Sequence, residues 1–225
     1  MIAQMKRLLA GGLAAMGAVA ALAALSVWLI ARDDVAAFRA IAAHSAPLPP
    51  HVRNAILAAE DPIILQPARA SLRHAFASLS PRMRSCGPSP IAYMLVRPRI
   101  GHVRPLRRHL EAAVRSFLVG RLFTAEELLR IYAHELYLGT WERRQIVGVD
   151  AASAFYFGKS PRALTAAEAA TLGAMIRAPN VYSPLRDRER ALTRRNQVLE
   201  RMLRFHYIDA REYERARREP LRAAA

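Results

Sequence analysis

The chain has 225 residues, of which 34 are Lys or Arg and 18 are Asp or Glu, giving a formal net charge of +16. Such a balance favours partners rich in phosphate (nucleic acid, anionic lipid or a phosphorylated substrate), and the predominance of arginine suits bidentate phosphate contacts. Its single cysteine, Cys86, excludes an internal disulfide and a cysteine-built metal site.

In chain order, residues 1–7 include Lys6 and Arg7, and residues 8–30 contain no charge and no proline. As a helix that run reaches about 35 Å, enough for a bilayer core. With Lys6 and Arg7 before it and Arg32, Asp33 and Asp34 after it, the positive-inside rule puts the N-terminus in the cytoplasm and the body of the chain outside. A cleaved signal peptide is the rival, because Ala18-Val19-Ala20 and Ala21-Leu22-Ala23 resemble cleavage sites. The apolar run continues past both sites to Ile30, which favours an uncleaved anchor. Residues 31–50 are expected as a juxtamembrane linker, amphipathic over 34–43 and turn-like over the proline-rich 45–50.

The remaining chain reads as all-helical. A helix over 51–61 carries Val52, Ile56 and Leu57 and is stopped by Pro62. Residues 63–104 hold apolar patches broken by prolines. Leu106, Leu110, Ala113, Val114 and Phe117 recur at helical spacing. Thr124 with Glu127, and Thr165 with Glu168, have the spacing of capping boxes that open further helices. Asp187 opens a long helix with Leu192, Val198, Leu199 and Met202 on one face, and 207–225 forms a helical tail.

Two carboxylate positions could carry chemistry. Glu60 and Asp61 end an apolar helix, where the negative dipole end and partial burial favour proton uptake, as a general base requires. Glu111 lies one turn from Arg107, Arg108 and Arg115. Arg97, Arg99, Arg104, Arg107 and Arg108 form a dense basic stretch between them, suited to a pyrophosphate. Each also has an ordinary reading, as a solvated helix end, a surface ion-pair ladder and a solvated basic face. The histidines lack metal-ligand spacing, and Ser89 has no base partner in a recognisable arrangement, which argues against nucleophilic serine chemistry.

Several co-linear motifs carry a resemblance. Glu127-Leu-Leu-Arg-Ile-Tyr132, Leu138-Gly139, the run Gly148 to Lys159, Leu164 to Ala170, Ala178-Pro179, Tyr182-Ser-Pro184 and Arg194 to Leu199 follow one pattern. Over about residues 50–205 the chain resembles the glycosyltransferase family 51 domain, the peptidoglycan glycosyltransferase of monofunctional transglycosylases and class A penicillin-binding proteins. Glu60-Asp61 match the family's first motif, but Ile64, Pro67 and Arg69 stand where it has Phe, His and Gly. In the second motif Gly87, Ser89 and Ile91 survive, the paired glutamines do not, and Arg97 replaces a lysine. The third is kept as Arg107-Arg108-His-Leu-Glu111, with Arg104 one residue out of step upstream. His134 replaces an asparagine, and a short insertion lies around Trp141 to Gln145.

The resemblance implies a mainly α, lysozyme-like domain over 51–206, with a small membrane-associated jaw lobe formed largely by 63–100. It implies polymerisation of lipid II into glycan strands, inversion at the donor sugar and release of undecaprenyl pyrophosphate, in cell wall biogenesis. Glu60 would be the general base and Glu111 a second catalytic carboxylate on the pyrophosphate side. Asp61, Ser89, Arg97, Arg104, Arg107 and Arg108 would bind substrate. A divalent metal such as Mg2+ is implied at Glu111. Lipid II, the growing strand, the membrane and cell-wall synthesis proteins are the expected partners, with no nucleic acid. The expected location is the bacterial inner membrane, single-pass, with the domain on the periplasmic side. No penicillin-binding half follows Ala225, so transpeptidation is not expected of the chain. The eroded motifs keep open a degenerate member that binds lipid II or a partner without turnover. A glycan-cleaving enzyme and a basic nucleic-acid binder are more distant readings.

Overall fold

The computed structural model describes residues 31–60, 90–101 and 104–223, together with Leu22, Leu25, Ser26, Trp28 and Leu29. Helix α1 spans 31–44, and α2 spans Pro50–Glu60. After these come α3 (Pro90–Val96), a 3-10 turn (Arg97–Arg99), α4 (Pro105–Leu122) and α5 (Ala125–Glu135). A hairpin of β1 (Tyr137–Trp141) and β2 (Arg144–Val147) leads into α6 (Val149–Phe157). A 3-10 turn (Pro161–Ala163), α7 (Ala166–Met175), α8 (Arg188–Arg204) and α9 (Ala210–Arg218) complete the described chain.

The expected membrane span needs correction. Among the described residues no helix is long and apolar enough to cross a membrane. Most of the run over 8–30 lies outside the described residues. The helix that continues it, α1, carries Arg32, Asp33, Asp34 and Arg39. Its apolar side, Ala31, Val35 and Phe38, is fully buried. Asp34 is buried too and pairs with Arg115 of α4 at 2.9 Å. The Phe38 ring meets Phe123 edge-on, and the Arg99 guanidinium stacks over it at 4.7 Å. With Asp34 paired inside the fold and Ala31, Val35 and Phe38 covered, α1 is part of the domain. The single-pass topology, and the inner-membrane location built on it, are therefore overturned.

The domain itself is mainly helical. Helices α2, α7 and α8 pack pairwise on one another and form its centre. The approach of α7 to α2 depends on Gly173, where a Cβ would stand 2.9 Å from the Ala55 carbonyl oxygen. Both expected capping boxes are present. Thr124 accepts from the Glu127 amide at 3.2 Å while Glu127 takes the Thr124 amide at 2.7 Å, and Thr165 and Glu168 repeat the exchange. Asp187 caps α8 by accepting from the Arg190 amide at 3.0 Å. Arg195, buried on α8, donates to the Arg217 and Glu219 carbonyls and so fastens the end of α9.

The all-helical expectation fails at one place. The β1–β2 hairpin was not expected, because its strands are short and its turn is Glu142-Arg143 rather than an Asn-Gly type. Both turn residues take positive φ, 45° and 68°, as a two-residue primed turn requires. On α4, Leu110 and Phe117 are exposed, and the face that packs inward is built from Ala112, Ser116 and Val119. Small residues let α3 and α4 approach closely, and that closeness outweighs burial of the larger side chains.

The pair between α1 and α4 makes a direct test. Arg115→Ala leaves Asp34 as a buried charge without its partner and should cost about 3 kcal/mol. Urea unfolding should show the midpoint falling at unchanged m-value. The double variant Asp34→Leu, Arg115→Met should recover most of the loss.

Candidate functional site

Glu60 is the last residue of α2, and its side chain is only 5% exposed. A buried carboxylate requires partners, and two elements distant in sequence supply them. Tyr132 of α5 donates its hydroxyl to Glu60 Oε1 at 2.7 Å, inside the protein. Arg177, just after α7, sets its Nη2 3.4 Å from Oε2, with its own side chain 60% exposed. The same Nη2 stands 3.5 Å from the Glu60 carbonyl oxygen, and Arg201 of α8 donates to the Ala59 carbonyl at 3.2 Å. The C-terminal carbonyls of α2, which lack partners within the helix, are thus met by two guanidiniums. Cations at this end also oppose the helix dipole.

The two carboxylate oxygens are not equivalent. Oε1 is held by a short bond from a buried hydroxyl. Among the described residues Oε2 has one longer contact, to the mostly exposed Arg177 side chain. Oε2 is therefore the less tightly held of the two oxygens. Burial above all, then the charge and the hydrogen bond of Glu60, push the Tyr132 phenol well above its ordinary value of 10.0. Tyr132 consequently stays a donor throughout the neutral range.

Helix α2 is fixed at its other turns as well. Arg53 grips Glu126 of α5, with Nη2 2.6 Å from Oε1. Asn54 donates to the Tyr207 carbonyl at 3.2 Å. The carboxylate thus projects from a helix clamped along its length to α5, α7, α8 and the chain after α8.

Glu111 lies on α4, with its side chain 17% exposed, and accepts from Arg107 Nε and Nη2 on the same oxygen, both at 3.2 Å. Glu111 and Glu60 are not bonded partners. Helix α3 packs on both α4 and α5 and so links the two positions. Arg97, Arg104 and Arg107 are exposed, and among the described residues the side chains of Arg97 and Arg104 have no hydrogen-bond or ion-pair partner. Arg108 is half-buried, and its Nε has no hydrogen-bond partner. Arg115, expected beside Glu111, turns instead to Asp34. Arg99 is taken by Glu135. Of the basic stretch, Arg97, Arg104 and Arg108 therefore remain uncommitted. Asp61 and Ser89 lie outside the described residues.

Among the described residues no group of three or more His, Cys, Asp or Glu side chains is placed to hold a metal ion. Glu111 offers one carboxylate oxygen not already held by Arg107. Mg2+ keeps several waters and binds through one or two carboxylates together with substrate phosphates, so that oxygen is what Glu111 would contribute to such an ion. Cavities of about 410 and 540 Å³ open elsewhere on the surface, and neither has Glu60 or Glu111 in its lining.

Tyr132 and Arg177 were not expected in the site. Tyr132 had a signal, since it occurs within a quoted motif, but helical spacing alone assigns it to the core. Arg177 follows α7 in a short irregular stretch, and nothing local marks it.

Comparison with known proteins adds an independent line. The family described as Transglycosylase matches residues 33–203. Penicillin-binding protein 1A of Aquifex aeolicus is 35% identical over 180 residues, covering 77% of this chain and 24% of that protein. Penicillin-binding protein 1A of Escherichia coli K12 is 32% identical over 181 residues, covering 78% of this chain and 21% of that protein. The chain therefore spans about a quarter of the length of these relatives. The 2.6 Å crystal structure of penicillin-binding protein 1A from Haemophilus influenzae aligns at 40% identity and a TM-score of 0.41, over 44% of this chain and 14% of that one.

The Tyr132–Glu60 bond predicts an alkaline signature. With the phenol's folded value raised, the folded state keeps a proton that the unfolded state loses above about pH 10. Stability contributed by this group is whole below that pH and declines above it. Tyr132→Phe should flatten the fall in stability between about pH 10 and 11, read by urea unfolding at each pH. At pH 7 it should cost about 1–3 kcal/mol, because Glu60 Oε1 loses its donor.

Proposed function

The chain belongs to the transglycosylase family, and we propose that it is a peptidoglycan glycosyltransferase that polymerises lipid II and releases undecaprenyl pyrophosphate. One observation carries the reading. Within a family match that covers most of the chain, the carboxylate at the first-motif position is buried, held at one oxygen by Tyr132 and met at the other by a longer contact from exposed Arg177.

Under this reading the acceptor sugar's 4-hydroxyl gives its proton to Glu60 Oε2 as its oxygen forms a bond to the donor anomeric carbon. The bond from that carbon to the pyrophosphate oxygen breaks, the pyrophosphate leaves with the electron pair, and the configuration inverts. Tyr132 holds the base in place without giving up its own proton. Arg177 can withdraw from Oε2 when the acceptor arrives, because most of its side chain is in solvent. The departing pyrophosphate gathers negative charge, and the uncommitted guanidiniums of Arg97, Arg104 and Arg108 would meet it, with Glu111 holding Arg107 in place. Preorganised cations at a developing anion are the principal source of rate in such a step. A divalent cation such as Mg2+ enters the proposal as an ion arriving with the pyrophosphate, where it would neutralise charge, Glu111 supplying one oxygen. Asp61 and Ser89 are proposed as further substrate contacts by their motif positions. Proteins of peptidoglycan synthesis are the proposed protein partners.

Loss of the paired glutamines supports a second reading, a member that binds lipid II without turning it over. A lipid II polymerisation assay on full-length protein separates the two. Wild type should form glycan polymer, and Glu60→Gln should lower the rate by about 10²–10⁴, the usual contribution of a general base. Lipid II binding with no polymer from wild type would overturn the enzymatic reading.

A further inference from the structure

The mechanism leaves the outer face of the hairpin unused. A cavity of about 540 Å³ opens there, lined by Trp141, Glu142, Arg144, Gln145, Ile146 and Phe155 among others. That volume lies within the range of small-molecule sites, roughly 300–1,000 Å³. Trp141 and Phe155 are half-buried, with ring centroids 6.4 Å apart and planes inclined by 53°. The side chains of Glu142, Arg144 and Gln145 are exposed and make no hydrogen bond or ion pair. Glu142 and Arg143 both take positive φ, a conformation that costs non-glycine residues about 1 kcal/mol or more each.

We propose that this cavity is a saccharide-binding site, in which a pyranose ring packs on Trp141 and its hydroxyls bond to Gln145, Glu142 and Arg144. The apolar C–H face of a sugar matches an aromatic face that is only partly covered. The polar rim supplies an acceptor-only group, a donor-only group and an amide that does both, the mixture that hydroxyls require. Glu142 and Arg144 stand on the rim with opposite charges, and Arg143 beside them leaves the turn with one net positive charge, far below the density that a polyanion requires. A polyhydroxylated chain is the ligand that matches the aromatic face and the mixed polar rim.

The hairpin is also tied to the catalytic end of the molecule. Asn180 accepts from the Thr140 amide at 3.1 Å and donates to the Tyr137 hydroxyl at 3.3 Å, while Arg186 donates to the Thr140 carbonyl at 3.1 Å. These bonds fix β1 to the segment that begins at Arg177, the residue on Glu60. That the natural ligand is the growing glycan strand rests on the glycosyltransferase reading. Saccharide binding by the cavity does not.

The test uses the full chain carrying Trp28→Phe, which leaves Trp141 as the sole tryptophan of the original two. Titration with chitohexaose, a soluble β-1,4-linked N-acetylglucosamine oligomer, should change Trp141 emission saturably. The Arg144→Ala, Gln145→Ala variant alters only exposed side chains and should bind about tenfold or more weakly, with circular dichroism unchanged. Trp141→Phe, followed by calorimetry, should retain binding because it keeps an aromatic face. No saturable signal up to about 10 mM, or equal affinity in the double variant, would overturn the proposal. Polymer formation from lipid II without a chitohexaose response removes this inference alone. Chitohexaose binding that depends on Arg144 and Gln145, in a protein that forms no polymer, removes the enzymatic reading alone.

Discussion

The buried carboxylate of Glu60 is the constraint around which the helices are arranged. An ionised group taken from water needs partners fixed within hydrogen-bond reach. Here they come from α5 and from the chain after α7, brought to the end of α2 by the packing of the core. Gly173 lets α7 close on α2, Arg53 locks α2 to α5, and Arg201 reaches the last turn from α8. Each contact has its own structural reason, and together they hold one carboxylate with one oxygen bound by a buried hydroxyl and the other in a longer contact with Arg177.

The high positive charge is not uniform in its use. Some arginines serve the fold, as Arg115 does on Asp34, Arg99 on Glu135 and Phe38, and Arg195 on the carbonyls after α9. Others, such as Arg97 and Arg104, have exposed side chains without partners among the described residues. Only this second set can meet an anionic ligand without first breaking an existing bond. The same division explains the correction at the N-terminal side. Arg32, Asp33 and Asp34 look from sequence like charges that flank a membrane, yet Asp34 is a buried half of an ion pair and its helix is part of the fold.

What could be read from sequence was local. The capping boxes at Thr124 and Thr165 follow from a three-residue spacing, the end of α2 from Pro62, and the opening of α8 from Asp187. Glu60 was legible as a candidate because it ends an apolar helix. Tyr132 and Arg177 were not legible as its partners, because the contacts join residues 72 and 117 positions apart. Apolar periodicity cannot tell a tyrosine that fills a core from one that also aims a hydroxyl at a carboxylate. The spacing of Leu110 and Phe117 does mark a helix, but periodicity does not tell which face packs inward, and here Ala112, Ser116 and Val119 do. The hairpin was hidden by short strands and a turn whose residues do not advertise positive φ. It is also where the unused aromatic cavity lies.

A double-mutant cycle on Glu60 and Tyr132 tests the central claim most directly. Glu60→Leu leaves a buried hydroxyl without an acceptor, Tyr132→Phe leaves a buried carboxylate without its donor, and the double variant leaves neither. Urea unfolding at pH 7 should give losses for the single variants that sum to more than the loss in the double, with a coupling of about 1.5–3 kcal/mol. Additive losses, with coupling below about 0.5 kcal/mol, would contradict the account, because Glu60 would then stand without the bond that orients it.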